Sequence, residues 1–344
     1  MRFGIIGSGS WGTALAKLLT DNHHHISWTV RSEQVVNQIL LRRHNPNYLQ
    51  TVHFDTTLLS LNADAMETIR SSEAIVIAVP SAYVTATLLG LDAQALHGKK
   101  IISAIKGMLP ENSLLLNDHL KNNFQFPLEQ YFTIMGPCHA EEVAAEKLSY
   151  LTFSGINEEE TQEIAAYFQG ANLNAVVNHD VYGVQFAAIL KNIYALGAGI
   201  AHGLKYGDNF LSVLIANCAD EMAGFLRQAG IANMEVGVHK MADLKKRKSP
   251  NYAASVYLGD LLVTSYSLFS RNRSFGNMIG KGYSVISAQL EMNMVAEGYN
   301  ASKSIFLINE KLGADIPIAT AIYQILWEHL PPEEGFKMIE ECLI

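Results

Sequence analysis

Cysteine is scarce: Cys138, Cys218 and Cys342 are odd in number and far apart, with no CxxC pair and no Cys/His spacing that suits a metal. That excludes a disulfide framework and points to a reducing, cytoplasmic setting. Positive charge is also short, with 25 Lys and Arg against 33 Asp and Glu and a net charge of -8. The balance weighs against nucleic acid or an anionic membrane as the main partner, so an anionic substrate must be captured by local cations. Internal repeats and low-complexity tracts are absent. Glycines interrupt the apolar stretch after Met1-Arg2, which leaves no signal-peptide core. The long uncharged run over 74–91 is divided by Pro80-Ser81 into a buried strand, Ala74 to Val79, and a following helix, which removes it as a membrane span. With 49% hydrophobic and 17% charged residues the chain has an ordinary globular composition, and 344 residues exceed what one core usually supports. Two domains are therefore expected.

The most informative feature is the start. An apolar strand, Phe3 to Ile6, runs into Gly7-Ser8-Gly9-Ser10-Trp11-Gly12, followed by a helical pattern with Ala14, Leu15, Leu18 and Leu19 on one face. Gly7 suits a sharp exit from the strand, Gly9 a close approach of pyrophosphate to the backbone, and Gly12 tight packing of helix on sheet. The new helix N-terminus offers N–H groups and a positive dipole end to phosphates. A glycine turn that binds nothing is the alternative.

Short β-rich runs then alternate with helical stretches: Ile26 to Val30, Ala74 to Val79, Ile101 to Ala104 and Phe132 to Met135. The alternation predicts a doubly wound, mostly parallel sheet of the Rossmann type, with Tyr150 to Ser154 and Asn174 to Asn178 able to continue it. From Gly183 the pattern is helical. We therefore expect a dinucleotide-binding α/β domain over 1–181 and an all-α substrate and catalytic domain over 182–344, with a ligand between the two. The triplet His23-His24-His25 falls where the first helix turns toward the second strand and reads as a solvated loop, since adjacent residues seldom converge on one ion. The basic run from His239 to Pro250 reads as a solvated loop too.

Several polar residues stand out from apolar surroundings. Lys191 is the single Lys, Arg, Asp or Glu between Phe186 and Leu204. Desolvation there lowers a lysine pKa toward values useful in proton transfer, unless the side chain snorkels to the surface. Lys106 follows an apolar strand at the carboxyl edge where doubly wound sheets bind ligands, or is a solvated cap. Asp260, before Leu261-Leu262-Val263, either pairs with Lys191, accepts a substrate hydroxyl or caps a helix, and Thr264 lies one turn on. Ser270-Arg271-Asn272 combines a hydroxyl, a forked guanidinium and an amide, a set suited to a phosphate monoester or to a polar surface. At the end of the second strand Arg31-Ser32 suits a 2′-phosphate and so NADP(H), while Glu33 could reach a ribose as in NAD(H) enzymes, and a plain surface arginine is the remaining reading.

Taken in order, the opening glycine turn, Ala104-Ile105-Lys106-Gly107, Gly136-Pro137-Cys138-His139-Ala140, Leu190-Lys191-Asn192, Gly207-Asp208-Asn209, Gly259-Asp260, Ser270-Arg271-Asn272 and Ala296-Glu297-Gly298 resemble the bacterial-type NAD(P)-dependent glycerol-3-phosphate dehydrogenases. The resemblance spans nearly the whole chain. It implies oxidation of sn-glycerol 3-phosphate at C2 and, physiologically, reduction of dihydroxyacetone phosphate for phospholipid synthesis. It further implies that Lys191 is the proton acceptor and donor, with Lys106 and Asp260 as catalytic partners. Cofactor contacts are implied for Gly7, Gly9, Ser10, Trp11, Gly12, Arg31, Lys106, Ala140, Arg271, Val295 and Glu297. Substrate contacts are implied for Lys106, Gly136, Cys138, Lys191, Asp260, Thr264, Ser270, Arg271 and Asn272. No metal is implied, and a homodimer through the helical part is expected. The chain departs from the family pattern at Cys138-His139, where Ser-Phe is usual, at Gln185, where glutamate is usual, at Tyr48-Leu49-Gln50, where Tyr-Leu-Pro is usual, and in an insertion around His239 to Tyr257. The competing readings are another two-domain hydroxyacid or ketoacid reductase, or a nucleotide-binding protein without catalysis.

Overall fold

The structure is a computed structural model and describes residues 1–231, 256–292 and 296–344. In chain order the elements are β1 (Phe3–Ile6), α1 (Ser10–Asp21), β2 (Ile26–Thr29), α2 (Glu33–Arg42), β3 (Leu59–Asn62), α3 (Ala65–Ser71), β4 (Ala74–Ile77), α4 (Val84–Leu88), β5 (Lys100–Ser103), α5 (Leu116–Phe124), β6 (Tyr131–Met135), α6 (Ala140–Ala144), β7 (Ser149–Ser154), α7 (Glu158–Phe168) and β8 (Leu173–Asn178). Among the described residues helices alone follow: α8 (Val181–Gly203), α9 (Asp208–Gln228), α10 (Leu258–Tyr266), α11 (Arg271–Gly280), α12 (Val285–Glu291), α13 (Glu297–Leu312), α14 (Pro317–Trp327) and α15 (Pro332–Cys342). The chain forms two compact units, Met1–Ile105 with Leu114–Val181, and Lys106–Ser113 with Tyr182–Ile344.

The first unit is a sheet of eight strands in the order β3-β2-β1-β4-β5-β6-β7-β8, parallel throughout except where β6 meets β7. Its central strands, Phe-Gly-Ile-Ile in β1 and Ala-Ile-Val-Ile in β4, are buried at every position, as a parallel sheet covered on both faces requires. The uncharged run after Glu73 therefore holds a strand and the short helix α4. Strand β3, Leu-Ser-Leu-Asn, escapes the sequence reading because it has only two apolar residues and draws its order from pairing with β2. On one face of the sheet Phe3, Ile5, Trp28, Ile102, Phe132 and Phe153 pack with Ala14, Leu15 and Leu19 of α1 and with Phe168 of α7. The order reverses between β1 and β4, so the glycine turn leaves β1 at the switch point where such sheets receive ligands.

In the second unit α8 is long and apolar enough to cross a membrane, with a mean hydropathy of 1.3, yet 94% of that stretch is buried, which is the profile of a core helix. It crosses α11 at unusually short range. A Cβ placed on Gly276 would lie 1.9 Å from the Leu196 carbonyl oxygen, on Gly199 2.1 Å from that of Arg273, on Gly280 2.3 Å from that of Ile200 and on Gly203 2.5 Å from that of Asn277. Two Gly-x-x-x-Gly pairs, one per helix, thus let backbone touch backbone.

A buried carboxylate adds a second tie. Glu221 of α9 accepts from the Tyr194 hydroxyl of α8 at 3.0 Å and from the N–H groups of Ile318 and Ala319 at 2.7 and 2.9 Å, capping the N-terminus of α14. Burial pushes its carboxyl up to about 7 against the pull of those three donors. Glu221→Gln is expected to cost about 2 kcal/mol, because either amide orientation sets an NH2 group against a backbone donor. Chemical denaturation followed on the helical unit checks it, and an unchanged midpoint would refute the assignment.

Candidate active site

In the first unit the glycines of the turn differ in what surrounds them. Gly7 has φ +116, and a Cβ there would meet the Ala78 carbonyl oxygen at 2.6 Å; at Gly12 it would meet the Gly7 oxygen at 2.2 Å. At Gly9 nothing among the described residues lies within 4 Å. Two glycines are therefore demanded by the fold itself, and the third leaves open space in front of the turn. Gly9 is also the N-cap of α1 and, having no side chain, supplies no cap of its own to that helix. The pyrophosphate of a dinucleotide fits such an open turn at a helix N-terminus.

Arg31 is exposed just past β2. The adjoining Ser32 hydroxyl is engaged as the N-cap of α2, accepting from the Val35 N–H at 3.4 Å, and Glu33 opens that helix, exposed. At the end of β6, Gly136 has φ +131, and the buried Cys138 thiol donates to the Tyr150 carbonyl at 3.1 Å. Ala140 begins α6 and is buried. His23 takes a left-handed conformation, φ 61, in the turn that follows α1.

The second unit gathers residues from far apart in the chain. Lys191 is 3% exposed and Asp260 1%. The Lys191 ammonium forms a short ion pair with Asp260 Oδ1 and donates to Thr264 Oγ1 at 3.1 Å. Thr264 in turn donates to the Asp260 carbonyl at 2.6 Å, one helical turn back along α10. Lys106 Nζ reaches the other carboxylate oxygen, Oδ2, at 3.7 Å, with its side chain 20% exposed. One carboxylate thus lies between two ammonium groups. Burial lowers the Lys191 pKa to about 7, with Lys106 adding to the depression and Asp260 opposing it. Such a lysine can exchange a proton near neutral pH.

A chain of amides fixes the backbone around this cluster. Asn192 donates to the Lys106 carbonyl at 2.8 Å, Asn272 donates to Asn192 Oδ1 at 2.8 Å, and Gly298 N–H donates to Asn272 Oδ1 at 2.9 Å. Segment 106–113 therefore sits with the helices, Lys106 by its ammonium and its carbonyl, Ser113 by a 3.2 Å bond to Ser304. The expectation that Asn272 serves a phosphate meets a constraint: its oxygen and one N–H already have protein partners. Ser270 is the N-cap of α11, accepting from Arg273 N–H at 3.3 Å while keeping its own O–H to donate. Arg271, the first residue of that helix, is exposed. Glu297 opens α13. Val295, the basic run from His239 and the insertion up to Ser255 lie outside the described residues. In the sequence Asn192 is marked only as a neighbour of Lys191, an amide adjacent to a lone charge in an apolar stretch.

Comparison with known proteins also divides the chain in two, between residues 161 and 180. A family model described as NAD-dependent glycerol-3-phosphate dehydrogenase N-terminus matches residues 2–161, and the corresponding C-terminus model matches residues 180–337. A glycerol-3-phosphate dehydrogenase (NAD(P)+) of Halalkalibacterium halodurans is 31% identical over 96% of this chain and 91% of its own length. That of Chlorobium chlorochromatii is 32% identical over 97% and 96%. A crystal structure of glycerol-3-phosphate dehydrogenase from Coxiella burnetii matches with a TM-score of 0.84 at 25% identity, covering 99% of this chain and 98% of that one.

Proposed function

Because the chain belongs to the family of NAD-dependent glycerol-3-phosphate dehydrogenases, we propose that Lys191 takes the proton from the C2 hydroxyl of sn-glycerol 3-phosphate and returns it to the ketone of dihydroxyacetone phosphate in reverse. The activity is that of an NAD(P)-dependent oxidoreductase. Bound at the Gly7–Gly12 turn, the nicotinamide cofactor supplies the hydride acceptor, or the donor in reverse. The observation that carries the assignment of Lys191 is its burial against Asp260 and Thr264, which holds the amine in one place and lowers its proton affinity together. Asp260 orients Lys191 and balances its charge. Lys106, the more exposed of the two cations, polarises the substrate oxygen. Arg271, with the Ser270 hydroxyl and the spare N–H of Asn272, receives the phosphate. The unit of Met1–Ile105 and Leu114–Val181 holds the cofactor, and Lys106–Ser113 with Tyr182–Ile344 the substrate.

The physiological direction is reduction, supplying glycerol 3-phosphate for phospholipid synthesis in the cytoplasm. Cells lacking the chain that make phospholipid without supplied glycerol 3-phosphate would overturn that role. The direct test follows NADPH and NADH absorbance after dihydroxyacetone phosphate is added, with unphosphorylated dihydroxyacetone as control. Rapid oxidation with the phosphorylated ketone alone is the expected result. If Arg31 receives a 2′-phosphate, NADPH is the faster coenzyme and Arg31→Ala removes that advantage. Equal rates with both ketones would sink the phosphate assignment.

A further inference from the structure

The glycine turn is held by two side chains that reach it from elsewhere in the first unit. Trp28 of β2, fully buried, donates its indole N–H to the Gly7 carbonyl at 2.9 Å. Asn45, 1% exposed, donates its amide to the Ser8 carbonyl at 2.9 Å and to Thr13 Oγ1, in the first turn of α1, at 2.8 Å. The Asn47 N–H donates to Asn45 Oδ1 at 3.0 Å, which fixes which end of that amide faces the turn.

In a trans peptide the carbonyl and the following N–H point opposite ways, and no peptide bond among the described residues is cis. A Gly7 carbonyl drawn into the fold therefore turns the Ser8 N–H out of it, and a Ser8 carbonyl drawn in turns out the Gly9 N–H. Neither N–H has a hydrogen-bond partner among the described residues. Successive outward N–H groups form a concave anion receptor, and here it adjoins the N-terminus of α1. We infer that Trp28 and Asn45 are positioning residues of the cofactor site: by holding two carbonyls inward they preset the Ser8 and Gly9 amides to receive the dinucleotide pyrophosphate.

The inference rests on the reading that the dinucleotide sits at this turn, so the test includes a variant for each. NADH binding is titrated by fluorescence on Asn45→Ala, Trp28→Phe and Gly9→Val, and thermal unfolding is recorded beside it. The expected result is an NADH Kd raised about tenfold or more in Asn45→Ala and in Trp28→Phe. The KM for NADH should rise in step, while the KM for dihydroxyacetone phosphate stays within about twofold. Should Trp28→Phe fail to fold, Asn45→Ala, which removes only a short amide, decides alone. An unchanged Kd in Asn45→Ala with a lowered unfolding temperature would show that the bonds are merely structural and overturn the inference. Unchanged NADH affinity in Gly9→Val would instead overturn the location of the cofactor.

Discussion

Lys191→Ala is expected to lower turnover about a thousandfold while leaving NADH affinity within about twofold. The size follows from removing the group proposed to exchange the proton, and the selectivity from geometry: the ammonium contacts Asp260 and Thr264 in the helical unit, and the glycine turn lies in the other. Direction-dependent pH profiles sharpen the test. Oxidation needs the amine neutral, so the wild-type rate should rise as pH passes about 7, the value to which burial lowers Lys191. Reduction needs the ammonium, so the rate should fall over the same range. A profile that is flat near neutral pH in both directions, or a limb that survives in Lys191→Ala, would refute the assignment. Asp260→Asn should be nearly as damaging, because it leaves two ammonium groups facing one another without the carboxylate between them.

What could be read from the sequence was whatever is local or stands out against its background. The glycine turn is contiguous, and the roles of Gly7 and Gly12 depend on atoms within the turn or in the strand beside it. Lys191 is a lone charge in an apolar stretch, which marks it without any partner being known. The doubly wound sheet was legible because β1 and β4 are continuous apolar runs, whereas β3 needs its neighbour to exist. Bonds between distant residues left no such mark. Asn45 stands over thirty residues from the turn it braces, in a segment with no periodic pattern. Glu221 lies mid-helix among ordinary polar residues, and its cap on α14 appears only when Pro317 brings that helix start to it. The transfer of Lys106 to the helical unit depends on Asp260 and Asn192, contacts that a reading by consecutive segments has no means to see.

Gly276→Ala should be among the most damaging substitutions away from the reacting groups, costing about 3 kcal/mol or more. A helix normally gains from exchanging glycine for alanine, by about 0.5–1 kcal/mol. At Gly276 that gain is overwhelmed, because the new methyl would stand 1.9 Å from the Leu196 carbonyl oxygen and the obstacle is backbone. Relief requires α11 to move away from α8. Asn272 lies one turn before Gly276 on α11 and is bonded to Asn192, the residue after Lys191. Displacement of α11 would therefore strain the amide chain that carries the Lys106 carbonyl, and activity should fall with stability. Gly224→Ala supplies the control, since that glycine lies inside α9 with nothing among the described residues within 4 Å of a modest methyl. It should stabilise by about 0.5–1 kcal/mol and leave turnover as it is. Thermal unfolding and kcat measured on both variants decide the matter: equal effects of the two substitutions would mean that the α8–α11 crossing has room to spare, and that something other than the paired glycines sets the distance between Lys191 and the Arg271 end of α11.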